Sequence, residues 1–162
     1  MTVGLFRIGQ GFDVHPFSAD PERPLVLAGV TVDGSPGLAG HSDADAVAHA
    51  LCDALLGAAG LGDIGRHFPD TDPAFAGADS MGLLGHVARL AAAAGFAPVN
   101  ADCTVLAERP KLAAYVDRMA ARAAEVIGAP VSVKAKRGEG LGAIGRAEGI
   151  ACMAVVLLKG CE

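Results

Sequence analysis

The sequence predicts an α+β fold: one mixed β-sheet with about three helices packed on one face. Three observations lead there. The chain has 162 residues, the size of one ordinary domain. No linker, repeat or charge block divides it. Its segments run strand, strand, helix, helix, strand, helix, strand, strand, an order that argues for α+β or α/β with the helices gathered on one side of the sheet.

The elements follow in sequence order. Val3 to Val14 alternates loosely and ends at His15-Pro16, which reads as a strand entering a loop. Leu25 to Val32 reads as a short second strand. Ser42 stands three residues before Asp45, a capping-box start for a helix through Val47, Leu51, Leu55 and Ala58 that ends near Gly60. Gly60 to Asp79 is rich in Gly, Asp and Pro and reads as loop. Ser80 opens a second helix through Met81, Leu84, Val87 and Leu90, stopping at Gly95. Val99 to Ala107 is a strand, and Pro110 suits the first turn of a third helix running to Ile127, with Gly128 after it. Val131 to Lys136 and Ile150 to Leu158 are strands on either side of a glycine-rich loop.

Composition narrows the function classes. Thirteen Lys and Arg against 18 Asp and Glu give a formal charge of −5, without the basic footprint of a nucleic-acid binder. The longest apolar run, Ile150 to Leu158, falls well short of the roughly 18 residues a spanning helix needs. No export signal is evident, so the expectation is a cytoplasmic protein without a membrane partner. Charged residues make up 19% and apolar types 52%, against a usual charged share of roughly 25%. A domain of this size buries only about 70% of the surface its unfolded chain exposes, so the apolar surplus predicts a homo-oligomer. Cys52, Cys103, Cys152 and Cys161 form no CxxC pair and read as reduced core residues.

Two constellations carry chemistry. Asp13 and His15, two apart at a strand end, face the same way, and His49 on the first helix offers a third ligand. Two imidazoles and a carboxylate suit Zn²⁺ with an open fourth position, as in catalytic sites; the same spacing also serves a turn or surface pair. Residues 140–145 read GLGAIG, but a dinucleotide fingerprint needs a following helix and an acid about 20 residues on. Here a strand follows and the sequence stops short, which removes that reading. What remains is a glycine loop near Lys134, Lys136, Arg137 and Arg146, either an anion site or a solvated basic face. Glu139 within it can share Mg²⁺ or Mn²⁺ with phosphate oxygens. His67 and His86 belong to no motif.

Taken jointly, GFDVHPF (Gly11 to Phe17), AGHSDADAVAHALCDALLGAAGLGDIG (Ala39 to Gly65), FPDTDPAFAGADS (Phe68 to Ser80), RPKL (Arg109 to Leu112) and GLGAIGRAEGIA (Gly140 to Ala151) resemble one family. It is the 2-C-methyl-D-erythritol 2,4-cyclodiphosphate synthases of non-mevalonate isoprenoid biosynthesis. The segments stand in family order and cover the chain nearly end to end. The resemblance implies one domain over residues 1–162 and a homotrimer with active sites between subunits. It implies a phosphorus–oxygen lyase that converts 4-diphosphocytidyl-2-C-methyl-D-erythritol 2-phosphate to the cyclic diphosphate and CMP. It assigns Asp13, His15 and His49 to Zn²⁺ or another divalent transition metal, beside the substrate. His41 and Ser42 contact its phosphate, His41 as transition-state stabiliser. Asp63, Ile64, Gly65, Phe68, Pro69, Asp70, Thr71 and Asp72 fall in the segments that hold the methylerythritol moiety. Ala107, Pro110, Lys111 and Leu112 fall in the cytosine pocket. Lys136, Arg137, Gly138 and Glu139 match the diphosphate and second-metal segment, and Ala143 and Arg146 further contact positions.

Arg137 replaces a usual threonine, and Gly138 a usual Asn or Thr. Arg137 can donate to the same phosphate through a charged fork, or fill the cleft and displace the second metal. Ala143 replaces a larger residue, leaving Phe12 as the aromatic candidate near the threefold axis, unless Phe12 alternates into the core. The rival readings are a non-catalytic trimer binding zinc and an isoprenoid diphosphate, and a zinc phosphohydrolase using bound water.

Overall fold

Strand β1 (Phe6–Pro16) pairs antiparallel with β6 (Gly149–Gly160) along its whole length, from Phe6 opposite Lys159 to Pro16 opposite Gly149. In this computed structural model, which describes residues 5–161, β6 is also antiparallel to β4 (Phe96–Leu106). Strand β4 is parallel to β5 (Val131–Lys136), completing a mixed sheet in the order β1-β6-β4-β5. Val3 and Gly4, where the first predicted strand begins, lie outside the described residues.

Helix α1 (Ala46–Ala59) lies across β1 and β6, α3 (Ser80–Ala93) against α1 and β4, and α4 (Val116–Ile127) against β5. All three long helices cover one face, as predicted. The closest approach is between α1 and β1, where Gly9 and Gly11 occupy inward positions of the strand. A Cβ at Gly9 would land on the Ala54 carbonyl oxygen, and one at Gly11 on the Ala50 carbonyl oxygen. The next inward positions along β1 are Asp13 and His15, so the glycines seat α1 directly beside the future ligands.

The opposite sheet face is uncovered and apolar. Ile8, Phe12, Val14, Met153 and Val155 are exposed there, Ile8 to 74%. Phe12 therefore points away from the core. Cys52, Cys103 and Cys152 are buried free thiols as expected, whereas Cys161 is exposed.

Four local readings need correction. The N-cap of α1 is Asp45, not Ser42, because its carboxylate accepts from both Val47 and Ala48 N–H. The same fully buried carboxylate accepts from Ala28 N–H at 2.8 Å and Gly29 N–H at 2.7 Å. Those two residues have positive φ, so the predicted second strand is a tight hairpin of β2 (Leu25–Leu27) and β3 (Val30–Val32). Pro110 precedes the third helix instead of opening it. Leu112, 3% exposed, pins residues 107–115 as a loop against the core, and α4 begins at Val116. The two predicted loops hold short helices: α2 (Ile64–His67), a 3₁₀ turn (Pro73–Phe75) and α5 (Gly142–Gly145).

Candidate active site

At the end of β1, Asp13 Oδ2 lies 2.8 Å from His15 Nε2 and 3.1 Å from His49 Nδ1. The two imidazole nitrogens are 3.3 Å apart. One ligand atom from each residue falls within 4.8 Å of the others, in the only such trio among the described residues. His15 Nδ1 donates to the Ala39 carbonyl at 2.9 Å, which turns Nε2 into the centre. Two nitrogens and an anionic oxygen converging this closely fit a divalent cation. Burial alone would raise the Asp13 pKa, but hydrogen bonds and charge from His15 and His49 outweigh it and hold the carboxyl at about 2. For His15, burial pulls the pKa down and the Asp13 carboxylate pulls harder the other way, so the ring binds its proton more tightly than usual.

The centre opens into a cavity of about 480 Å³. His15, Gly40, His41, Ser42 and His49 line one end. Ile64, Gly65, Phe68, Pro69, Asp70, Phe75 and Leu83 form the rest, so it is polar at the metal end and largely apolar beyond. Ser42 Oγ accepts Ala44 N–H at 3.2 Å and lies 3.2 Å from His49 Nε2. His41 Nε2 is 3.3 Å from the Asp72 carbonyl. Asp63 and Asp72 cap α2 and the 3₁₀ turn with their side chains, accepting from Arg66 and Ala74 N–H; neither they nor Thr71 line the cavity. His67 Nε2–H donates to the Leu61 carbonyl at 2.9 Å, and His86 packs edge-on to Phe68. Neither reaches the centre.

The remaining predicted residues gather elsewhere. Arg109, Pro110 and Lys111 line a separate cavity of about 560 Å³ with Phe17, Gly34, Ser35, Pro36 and Ala147. Ala107 and Leu112, both buried, anchor its loop, and the Ala107 N–H donates to the Lys136 carbonyl at 2.9 Å. Glu108 accepts the Arg137 guanidinium on one oxygen and the Gly138 N–H, at 3.0 Å, on the other. Hydrogen bonding from Arg137, with its charge behind it, holds Glu108 below the usual carboxylate range. Arg146 pairs with Glu148 at 2.6 Å and Lys134 with Asp102. Three of the four cations that read as a basic cluster are therefore already matched, and Lys136 is the one with no ion pair among the described residues. Glu139, with φ of 53°, and Ala143 on α5 are exposed.

Both groups lie at the same end of the sheet, where β1, β4 and β5 end and β6 begins. Asp13 and His15 sit on edge strand β1, Lys136 to Glu139 at the end of edge strand β5 and Arg109 to Lys111 after β4, the two edge strands being three interstrand spacings, about 14 Å, apart.

The family model described as the YgbB family matches residues 6–159. The chain belongs to the YgbB family. Among curated relatives, the 2-C-methyl-D-erythritol 2,4-cyclodiphosphate synthase of Geobacillus kaustophilus is 56% identical over 158 residues, 96% of this chain and 99% of that one. The solved bifunctional IspDF from Campylobacter jejuni matches this YgbB chain with a TM-score of 0.93 at 44% identity. That match covers 98% of this chain and 43% of the longer one. The Plasmodium falciparum IspF, solved as a CDP complex, matches with a TM-score of 0.83 at 32% identity, over 97% of each chain.

Sequence reasoning missed several residues of the YgbB site. Arg23 donates from one guanidinium nitrogen to the carbonyls of Gly40, at 3.3 Å, and of Ser42, clamping the backbone on both sides of His41. Glu108 sits in the segment AERPKL and carried no signal of its own, since its partners are 29 and 30 residues away. Ser80, in contact with His49, read only as a helix start, and Asp43, in contact with Ser80, carried no reading of its own. Among the described residues, no helix is long and apolar enough to cross a membrane.

Proposed function

We propose that this chain cyclises 4-diphosphocytidyl-2-C-methyl-D-erythritol 2-phosphate to 2-C-methyl-D-erythritol 2,4-cyclodiphosphate with release of CMP. On this reading it is a cytoplasmic phosphorus–oxygen lyase of isoprenoid biosynthesis. The observation that carries the proposal is the convergence of Asp13, His15 and His49 at the lip of a cavity also lined by His41 and Ser42. The synthase names of the relatives support it, and no observation favours a non-catalytic binder.

The reaction asks little covalent chemistry of the protein. An oxygen of the substrate's own 2-phosphate, ionised at neutral pH, bonds to the β-phosphorus. The bond from that phosphorus to the bridging oxygen breaks, and CMP leaves with the electron pair. Holding the two phosphates in near-attack geometry is the main contribution, and neutralising the developing charge is the second. Asp13, His15 and His49 would hold Zn²⁺ or another divalent transition ion, which when bound supplies Lewis-acid polarisation at a phosphate oxygen. Glu139 offers a single exposed carboxylate, enough for Mg²⁺ or Mn²⁺ once substrate phosphates complete the coordination shell. Ser42 Oγ accepts the Ala44 N–H, which leaves its own proton to donate to the phosphate. His41, held by the Arg23 clamp on its flanking carbonyls, stabilises the transition state. The apolar wall of Ile64, Phe68, Phe75 and Leu83 keeps water from competing with the tethered nucleophile. Lys136 and Arg137 face the diphosphate, and the loop carrying Pro110, Lys111 and Leu112 takes the cytosine. Asp63, Gly65, Pro69, Asp70, Thr71 and Asp72 shape the methylerythritol subsite, and Gly138, Ala143 and Arg146 border the diphosphate.

The placement of these two groups on opposite sheet edges supports an assembly in which the β1 edge of one copy meets the β5 edge of the next. Head-to-tail contacts of that kind close into a ring. A homotrimer of this form covers the apolar face bearing Ile8, Phe12, Val14, Met153 and Val155.

Phosphorus NMR of the product, with CMP measured beside it and with and without chelator, tests the proposal. The expected result is a cyclic diphosphate and stoichiometric CMP, both lost on metal removal. A linear product with inorganic phosphate would instead establish the phosphohydrolase, and no turnover at all would leave a binding protein.

A further inference from the structure

We propose that Ser80 and Asp43 act as a pair of positioning residues that lock His49 in the Nε2–H tautomer, so that its Nδ1 lone pair faces Asp13 and His15. Ser80 is the first residue of α3 and is fully buried. Its hydroxyl oxygen lies 2.8 Å from His49 Nε2, the ring nitrogen turned away from the centre. Asp43 takes hold of Ser80 twice: one carboxylate oxygen accepts the Ser80 N–H at 3.1 Å, and the other accepts its hydroxyl proton.

For a neutral His49 ring, and with the Ser80 hydroxyl directed to the Asp43 carboxylate in preference to the more distant Ser42 Oγ at 3.3 Å, donor and acceptor counting leaves one arrangement. An ionised carboxylate has no proton to give, and a serine hydroxyl has only one. With that proton committed to Asp43, Ser80 Oγ can only accept from His49, which places the ring hydrogen on Nε2. A neutral imidazole carries one N–H, so Nδ1 is left as a lone pair turned to the centre, where His15 Nε2 lies 3.3 Å away and can donate to it beside the Asp13 carboxylate. Ser42 Oγ, also near Nε2 at 3.2 Å, imposes no such order, because nothing fixes its own proton. Asp43 is itself held by backbone contacts: its N–H donates to the Ala78 carbonyl at 3.2 Å, and its Oδ1 accepts the Asp45 N–H at 3.2 Å. The lock therefore joins the loops that precede α1 and α3. The Ala39 carbonyl does the same for His15 Nδ1, so each histidine has an acceptor behind it. Acceptors behind a ligating histidine raise its basicity and fix its ring, and losing one weakens metal binding by about 10–100-fold.

This inference rests on the metal-centre reading for its affinity arm only. The test uses full-length, metal-free protein labelled with ¹⁵N-histidine at pH 8, followed by zinc titration against a competing chelator. Long-range ¹H–¹⁵N spectra of the wild type are expected to show His49 as the Nε2–H form. Ser80→Ala gives a mixture with the Nδ1–H form and about 10–100-fold weaker zinc binding. Asp43→Asn shifts both readouts the same way by less, since an amide NH₂ can donate to Ser80 Oγ and free its proton. If Ser80→Ala does not fold by circular dichroism, Asp43→Asn carries both readouts. Folded variants that keep a pure Nε2–H spectrum and wild-type affinity overturn the proposal. A wild type that binds no zinc defeats the metal-centre reading instead, and the tautomer spectra still decide this one.

Discussion

Replacing Gly11 by Ala tests the link between packing and the metal centre. The added Cβ would lie roughly 1 Å inside the 3.0 Å limit that real Cβ contacts observe, against the Ala50 carbonyl oxygen, and 2.8 Å from Ala54 N. Both obstacles are helix backbone, which no rotamer change can clear. Helix α1 must retreat from β1 by about 1 Å, and it carries His49 while β1 carries Asp13 and His15. Metal–ligand distances tolerate only about 0.2 Å, so the retreat exceeds the tolerance several-fold. Overpacking of this kind costs about 1–3 kcal/mol, or roughly 3–10 °C in Tm for a domain of this length. Thermal melts of metal-free protein at fixed concentration read the first effect. Zinc titration against a chelator reads the second, with a loss of at least about tenfold expected. A variant with wild-type Tm and zinc affinity would refute the claim that the glycine-seated helix sets the ligand geometry.

Two further outcomes probe the electrostatics. Arg137→Thr frees Glu108 and removes a cation from the diphosphate segment; the wild type is expected to be active and the variant to respond differently to Mg²⁺ or Mn²⁺ concentration in a CMP-release assay, whereas an inactive wild type rescued by threonine would contradict this. Burial raises the Asp53 pKa despite the 2.7 Å hydrogen bond from Ile64 N–H, so the carboxyl's contribution to stability is complete below about pH 3.8 and fades as pH rises through the folded-state pKa. Asp53→Asn keeps an oxygen for Ile64 and cannot ionise. Its Tm advantage over the wild type should grow between pH 4 and 7, and a constant or shrinking difference would refute the assignment.

The strand and helix pattern was legible because it is written in short-range periodicity. Asp13 and His15 were legible for the same reason, since i and i+2 on a strand share a face. His49 stood only as a candidate until the resemblance assigned it, because nothing local says that α1 lies on β1; the glycines at 9 and 11 are the sequence trace of that contact. What stayed hidden is long-range. Asp45 holds the turn at Ala28 and Gly29 across 16 and 17 residues. Glu108 reaches 29 and 30 residues along the chain to Arg137 and Gly138, and so a cluster that looked basic is mostly neutralised. Pro110 misled because its ring suits both a helix start and a turn, and only the burial of Leu112 separates them.

Strands β1 and β5 bound the sheet, and the two groups of site residues hang from them in the assembly proposed above. Damage to one group then spoils only the junction that edge enters. A copy crippled at His49 and another crippled at Lys136, inert alone, would regain turnover when unfolded and reassembled together, because one boundary in each hybrid ring joins two undamaged edges.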